Sequence, residues 1–159
     1  MSSIDDVIAR SRQPGGFSEQ KTFSVARERA IRKMREFALA DPHYFVLELI
    51  QAAVANGATH VDLQCERTEF RLSYVGGGFV HEELAQIFDF LFASKEDVEH
   101  GDIRQLALGV NALMIMSPER IVIESGNGTL GGTTRIAIRG DGETVEVGTP
   151  DSALDGTYV

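Results

Sequence analysis

Glu48 is the residue best suited to do chemistry. It stands inside a strongly apolar stretch from Tyr44 to Val54, where a carboxylate has a reason to be present if it orients a water molecule as a general base. The competing reading, and the favoured one, is a vestigial residue or an exposed acid paired with a basic side chain. Further along, Gly76-Gly77-Gly78 closes a strand-like run. Such a stretch either brings backbone N–H groups close to a ligand or makes a turn that needs unusual backbone angles. Arg104 opens a helical pattern and would pair with a phosphate, or else simply face solvent. His43, His60, His81 and His100 lack the helical or strand spacing of a metal pair, so no metal site is expected. The single Cys65 excludes an internal disulfide and a multi-cysteine metal centre; it reads as a small core or half-buried hydrophobe.

These residues have to be held by elements the pattern makes visible. Phe23, Ala26, Ala30, Ile31, Met34 and Phe37 recur at helical spacing, with Arg27, Glu28, Arg29, Arg32, Lys33 and Arg35 on the other face. Asp41-Pro42 is a helix start, an N-cap acceptor followed by proline where its missing N–H costs nothing. That helix runs to Asn56, and Gly57 stops it. Its apolar residues cover more than one face, so it is expected to be the most buried helix. Thr59 to Leu63 and Glu69 to Tyr74 read as a hairpin of strands. Leu84, Ile87, Phe88, Leu91 and Phe92 return to helical spacing, and the charged segment Lys95 to Asp102 leads to an apolar helix from Ile103 to about Met116. Core packing is the favoured use of that helix over a partner-binding surface. Ile121 to Ile123, Arg135 to Arg139, Thr144 to Val147 and Gly156 to Val159 read as strands, with Asp141-Gly142 as a hairpin turn. The order of elements predicts an α+β two-layer sandwich, with helices on one face of a mixed, mostly antiparallel sheet.

The chain of 159 residues fits one domain. Residues 1–21, polar around Pro14-Gly15-Gly16, read as a flexible arm, and 22–159 as the folded domain. A hydrophobic share of 43% with 25% charged residues is ordinary for a globular protein. The formal charge of −9 argues against nucleic acid, whose binding relies on Lys and Arg neutralising phosphates. No apolar run reaches the length of a membrane span, and the N-terminus carries acids where a secretory signal would carry bases, so a cytoplasmic location is expected.

Four segments resemble the motifs of the GHKL superfamily of ATP-binding domains, which includes gyrase, the large heat-shock chaperone, histidine kinases and MutL. Glu48-Leu49-Ile50-Gln51-Ala52-Ala53-Val54-Ala55-Asn56-Gly57-Ala58-Thr59 is similar to Glu-Leu-Ile-x-Asn-Ala-x-Asp-Ala-Gly-Ala-Thr, the first family motif. The resemblance makes Glu48 the counterpart of the family's general base, and puts Ala52 where the Mg²⁺-holding asparagine belongs. Leu72 to Phe79 resembles the Asp-x-Gly-x-Gly box, with Gly76 and Gly78 on its glycines and Tyr74 on the aspartate that accepts the adenine amino group. Ile103 to Val110 resembles the chaperone's Ile-Gly-Gln-Phe-Gly-x-Gly-Phe, in which glycines let the backbone approach the triphosphate; Gly109 remains, and Arg104 and Ala107 replace the other two. Gly132-Thr133-Thr134-Arg135-Ile136 is similar to the Gly-Thr-x-Val strand, with Thr134 as the counterpart of the threonine that meets adenine through water. The tail Asp155-Gly156-Thr157-Tyr158-Val159 also resembles MutL's Gly-Thr-x-Val strand, compatible with the chain being the N-terminal part of a longer protein.

The resemblance implies a Bergerat-type fold with a degraded ATP site. Losing the metal ligand, the adenine acceptor and two loop glycines removes interactions of several kinds, each worth about 1 to 3 kcal/mol. The expected function is a pseudo-ATPase, an interaction or regulatory module with other proteins or further domains as partners, and with ATP and Mg²⁺ binding weak or absent. A homodimer stays open. The alternative is a divergent chaperone-like or MutL-like ATPase using Glu48 as base, Tyr74 and Thr134 at the adenine and Arg104 at the phosphates. Tyr74 is expected to turn inward near Ala52, its hydroxyl bonded to a neighbour such as Thr134 or to water.

Overall fold

The structure, a computed structural model, describes residues 22–37, 41–94, 100–129, 132–139, 145–148 and 153–159. The expected arm at residues 1–21, the Asp141-Gly142 turn and most of the charged segment after Ser94 lie outside them. The chain divides into two compact units, residues 1–30 and 31–159. Helix α1 spans Thr22–Phe37. Within the larger unit its Ile31 and Met34 pack against the apolar core, while Arg32 and Lys33 are exposed, as the amphipathic spacing requires.

The second helix starts where capping chemistry places it. The Asp41 side chain accepts the backbone N–H of His43 at 2.8 Å, Pro42 takes the first turn, and a 3₁₀ turn Pro42–Tyr44 feeds α2, Phe45–Ala55. Asn56 caps the far end, and Gly57 adopts a left-handed φ of +92° that a Cβ would disfavour. α2 is not the most buried helix. Phe45, Leu49, Ala52 and Ala53 line its core face, but Tyr44, Leu47 and Val54 are 47%, 53% and 61% exposed. The most buried helix is α4, Gly101–Leu113, whose Ile103, Leu106, Ala107, Val110, Asn111 and Ala112 are all closed to solvent. The reason is its place in the layer, since it packs against α2 and the 3₁₀ segment Ile87–Phe92 that follows the short α3, His81–Ala85.

Among the described residues, six strands form one sheet: β1 Val61–Cys65, β2 Phe70–Tyr74, β3 Arg120–Asn127, β4 Thr134–Arg139, β5 Val145–Gly148 and β6 Asp155–Tyr158, in the order β1-β2-β6-β3-β4-β5. Every pairing among the described residues is antiparallel, so there the expected mixed, mostly antiparallel sheet is antiparallel throughout. The last strand enters the middle of the sheet, pairing Tyr74 with Thr157 on one side and Ser125 with Thr157 on the other. Strand alternation separates two faces. Leu72, Tyr74, Ile121, Ile123, Ile136 and Ile138 turn into the core shared with the helices, whereas Arg71, Arg120, Arg139 and Glu146 are exposed. The result is an α+β sandwich with one face of the sheet covered. Cys65 is exposed rather than half-buried, because β1 is an edge strand and Cys65 ends it. Among the described residues, no helix is long and apolar enough to cross a membrane.

Candidate functional site

Three contacts fix how α2 and α4 meet. Leu49 faces Gly109, Gln51 faces Gln105, and Asn56 faces Asp102, so the two helices run in opposite directions. In the middle the helices come closest. A Cβ on Gly109 would lie 2.7 Å from Leu49 Cδ2 and 3.1 Å from the Leu49 backbone nitrogen, so glycine is needed there for packing. Gly109 is buried within α4 and has this structural explanation, independent of any phosphate. One turn nearer the start of α4, the Gln105 side-chain amide donates to Glu48 Oε2 at 2.6 Å and also to Gln51 Oε1. Glu48 is therefore half-buried with one carboxylate oxygen already engaged.

Asn56 closes the remaining end. It is buried, and its carboxamide works in both directions: Nδ2 donates to Asp102 Oδ2 at 2.7 Å and to the Gly78 carbonyl at 3.2 Å, while Oδ1 accepts the Gly78 N–H at 3.1 Å. The Asn56 backbone carbonyl accepts the Gly77 N–H at 2.8 Å. One side chain thus ties the end of α2 to the glycine turn and to the first turn of α4. The glycines make this approach possible. A Cβ on Gly76 would sit 2.8 Å from the Asn56 carbonyl oxygen, and Gly78 holds a φ of +72°. Asp102 is itself fixed twice, since its other oxygen accepts the Ile103 N–H at 2.8 Å in the positive first turn of α4.

Tyr74 forms the floor. It is 4% exposed, turned inward as expected, and its ring lies 3.1 Å from where a Gly76 Cβ would be. Its hydroxyl is buried with no hydrogen-bond partner. The expected bond to Thr134 is not formed: Thr134 pairs with Ser125 on the far side of β3, and the residue beside Tyr74 in the sheet is Thr157. Burial pushes the Tyr74 hydroxyl from 10.0 up to about 12; the Thr157 hydroxyl works against this, from a position short of hydrogen-bond geometry, and the Asp102 charge adds to the rise. Thr157 Oγ1 is already engaged with Ser125 Oγ at 2.9 Å, and Ser125 Oγ accepts the Phe79 N–H at 2.8 Å. This inner pair anchors the strand-to-helix turn after the glycines.

Of the residues singled out by sequence, Tyr74, Gly76 and Gly78 meet in one place, around Asn56. Ala52 is fully buried and offers no ligand atom. Arg104 points elsewhere, its Nε donating to the Ala93 carbonyl at 3.1 Å and holding the end of the preceding segment. Asn56, Asp102, Gln105, Ser125 and Thr157 were missed. A signal existed for Asn56, a polar residue directly before a helix-stopping glycine, and for Asp102, an acid in a first helical turn. Chemically, the arrangement is a polar site whose donors and acceptors satisfy one another, apart from the Tyr74 hydroxyl. No family model matches the chain, and no curated protein matches it.

Proposed function

We propose that this chain is a GHKL-type domain of Bergerat architecture whose nucleotide site is closed by its own side chains, a cytoplasmic pseudo-ATPase serving as a protein-interaction or regulatory module. The observation that carries the reading is the Asn56 carboxamide, which spends its hydrogen bonds on Gly78 and Asp102. A ligand entering between the glycine turn and α4 has to break those bonds before making any of its own. Two further features support it: the inward, bulky Tyr74 at the family's adenine-acceptor position, and the fully buried Ala52 at the position of its metal ligand. Together they leave neither base recognition nor a metal clamp, and a lone carboxylate hydrolyses ATP poorly without them.

The divergent-ATPase reading keeps one specific support, namely that Glu48 retains its carboxylate on α2 with Oε2 positioned by Gln105. Thermal unfolding with millimolar Mg-ATP separates the two, because ligand stabilisation grows with the logarithm of concentration over Kd. The expected shift is no more than about 1 °C, with the same background phosphate release from wild type and Glu48→Ala. A shift of many degrees, or turnover lost in Glu48→Ala, overturns the closed-site proposal.

A further inference from the structure

Toward one end of the sheet, β6 stops short of the two strands that flank it. Leu72 of β2 exchanges both main-chain bonds with Val159 at 2.9 Å, and β3 pairs with β6 from Asn127 only as far as Glu124. Past that level Phe70 and Arg71 face Arg120, Ile121 and Val122 with no strand between them among the described residues, although each stretch is still paired on its outer side, to β1 and to β4. Two strand spacings, roughly 9.5 Å, separate the stretches, which is room for one extended chain. A cleft of about 1030 Å³ runs from the open face to this gap, lined there by Phe70, Arg71, Leu113, Arg120, Ile121 and Val122.

The gap has main-chain bonding capacity and a charge. In an antiparallel ladder the N–H and C=O of every second residue point the same way. Leu72 turns to β6, so Phe70 turns to the gap; Val159 turns to β2, so Tyr158 turns to Glu124, and Val122 turns to the gap from the other side. Unpaired sheet groups of this kind are a template for another strand. Side chains sort by face: Phe70, edge-on to Phe45, and Ile121 lie on the core side, while Arg71 and Arg120 are exposed on the open side. Arg120 stands directly opposite Arg139 in the β3–β4 register, an unfavourable pairing of like charges. Glu146 answers Arg139 and Glu69 answers Arg71, but Arg120 has no ion pair among the described residues. We propose that this gap is a strand-acceptor site for a partner protein. It takes one extended segment, antiparallel to both β2 and β3, whose acidic side chains point to Arg120 and Arg71 and whose apolar ones point to Phe70 and Ile121. Occupation of the gap depends on the sheet alone and not on whether the nucleotide site is closed.

The test titrates the capped peptide acetyl-Glu-Val-Glu-Val-Glu-amide into the protein, with acetyl-Lys-Val-Lys-Val-Lys-amide as the cationic control, and follows backbone amides by heteronuclear NMR. The acidic peptide is expected to bind saturably, shifting the Phe70 and Val122 amides and slowing their hydrogen exchange. Arg120→Glu is expected to weaken it about fivefold, and the cationic peptide is expected not to bind. Failure of the acidic peptide to bind, equal binding of both peptides, or an Arg120→Glu variant with unchanged affinity overturns the site. Phe70 and Val122 amides already protected in the free monomer mean that the chain itself fills the gap. The same protection appearing with concentration-dependent dimerisation in sedimentation means that a second copy fills it. Either result overturns the assignment to a partner. Tight Mg-ATP binding would overturn the closed-site reading and leave these readouts untouched, so the two proposals fail separately.

Discussion

Two polar regions of this domain are built on opposite sides of one sheet, and they differ in what their charges do. On the open face, Arg135 Nε meets Glu124 Oε1 at 2.8 Å, Arg139 meets Glu146 at 2.6 Å and Arg71 meets Glu69 at 2.8 Å, all with substantial exposure. On the helix-covered side, the buried Asn56 bonds to the half-buried Gly78 and Asp102, and the fully buried Ser125 and Thr157 bond to each other. Water can replace any partner in the first group. In the second, removing one partner leaves others unsatisfied where water reaches them less freely, so its bonds govern the local structure more than the surface pairs do.

Asn56→Ala breaks the comparison most directly. It removes the bonds to Gly78 and Asp102 together and is expected to cost about 2 to 3 kcal/mol, read from urea unfolding. A loss below about 0.5 kcal/mol would put the clasp on a par with surface pairs.

Tyr74→Phe sharpens it from the other direction. Deleting a buried hydroxyl that has no partner is expected to leave stability near neutral unchanged or raise it by about 1 kcal/mol. The pH dependence follows from the raised pKa. Above 10.0 the unfolded chain begins to lose the tyrosine proton while the folded chain keeps it until about 12, so folding stability falls as pH rises through that window. Unfolding free energies of wild type and Tyr74→Phe measured across this range should diverge, with the variant lacking this tyrosine's share of the decline. Parallel curves would mean that the hydroxyl is solvated.

Glu124→Gln is the smallest expected effect. Arg135 and Glu124 stand directly opposite in the β3–β4 register, and losing this half-exposed pair should change stability by no more than about 0.5 kcal/mol, with the difference shrinking further in high salt.

Local chemistry was legible in the sequence, and long-range pairing was not. The Asp41-Pro42 start, the Gly57 stop and the β1–β2 hairpin each depend on residues close together in the chain, and they were read within a residue or two. The insertion of β6 between β2 and β3 depends on which edges meet, and no local pattern carries that. It moves the threonine beside Tyr74 from position 134 to position 157. The same limit hid the site's closure. Asn56 and Asp102 look like a helix end and a loop charge until α2 and α4 pack in opposite directions, and Gly109 looks like a ligand loop until Leu49 is seen against it. Tyr74 turned inward because dense packing favours filling the core, but its hydroxyl found no partner, since the expected threonine lies across another strand.

The most direct measurement is a heteronuclear NMR titration that follows the Asn56 side-chain amide and the Gly78 backbone amide as Mg-ATP is added to millimolar concentration. The account predicts that both signals show hydrogen-bonded, exchange-protected protons and stay in place throughout the titration. Rapid exchange of the Asn56 amide in the free protein, or saturable movement of the Gly78 and Asn56 signals with nucleotide, would contradict it and identify an open site that binds.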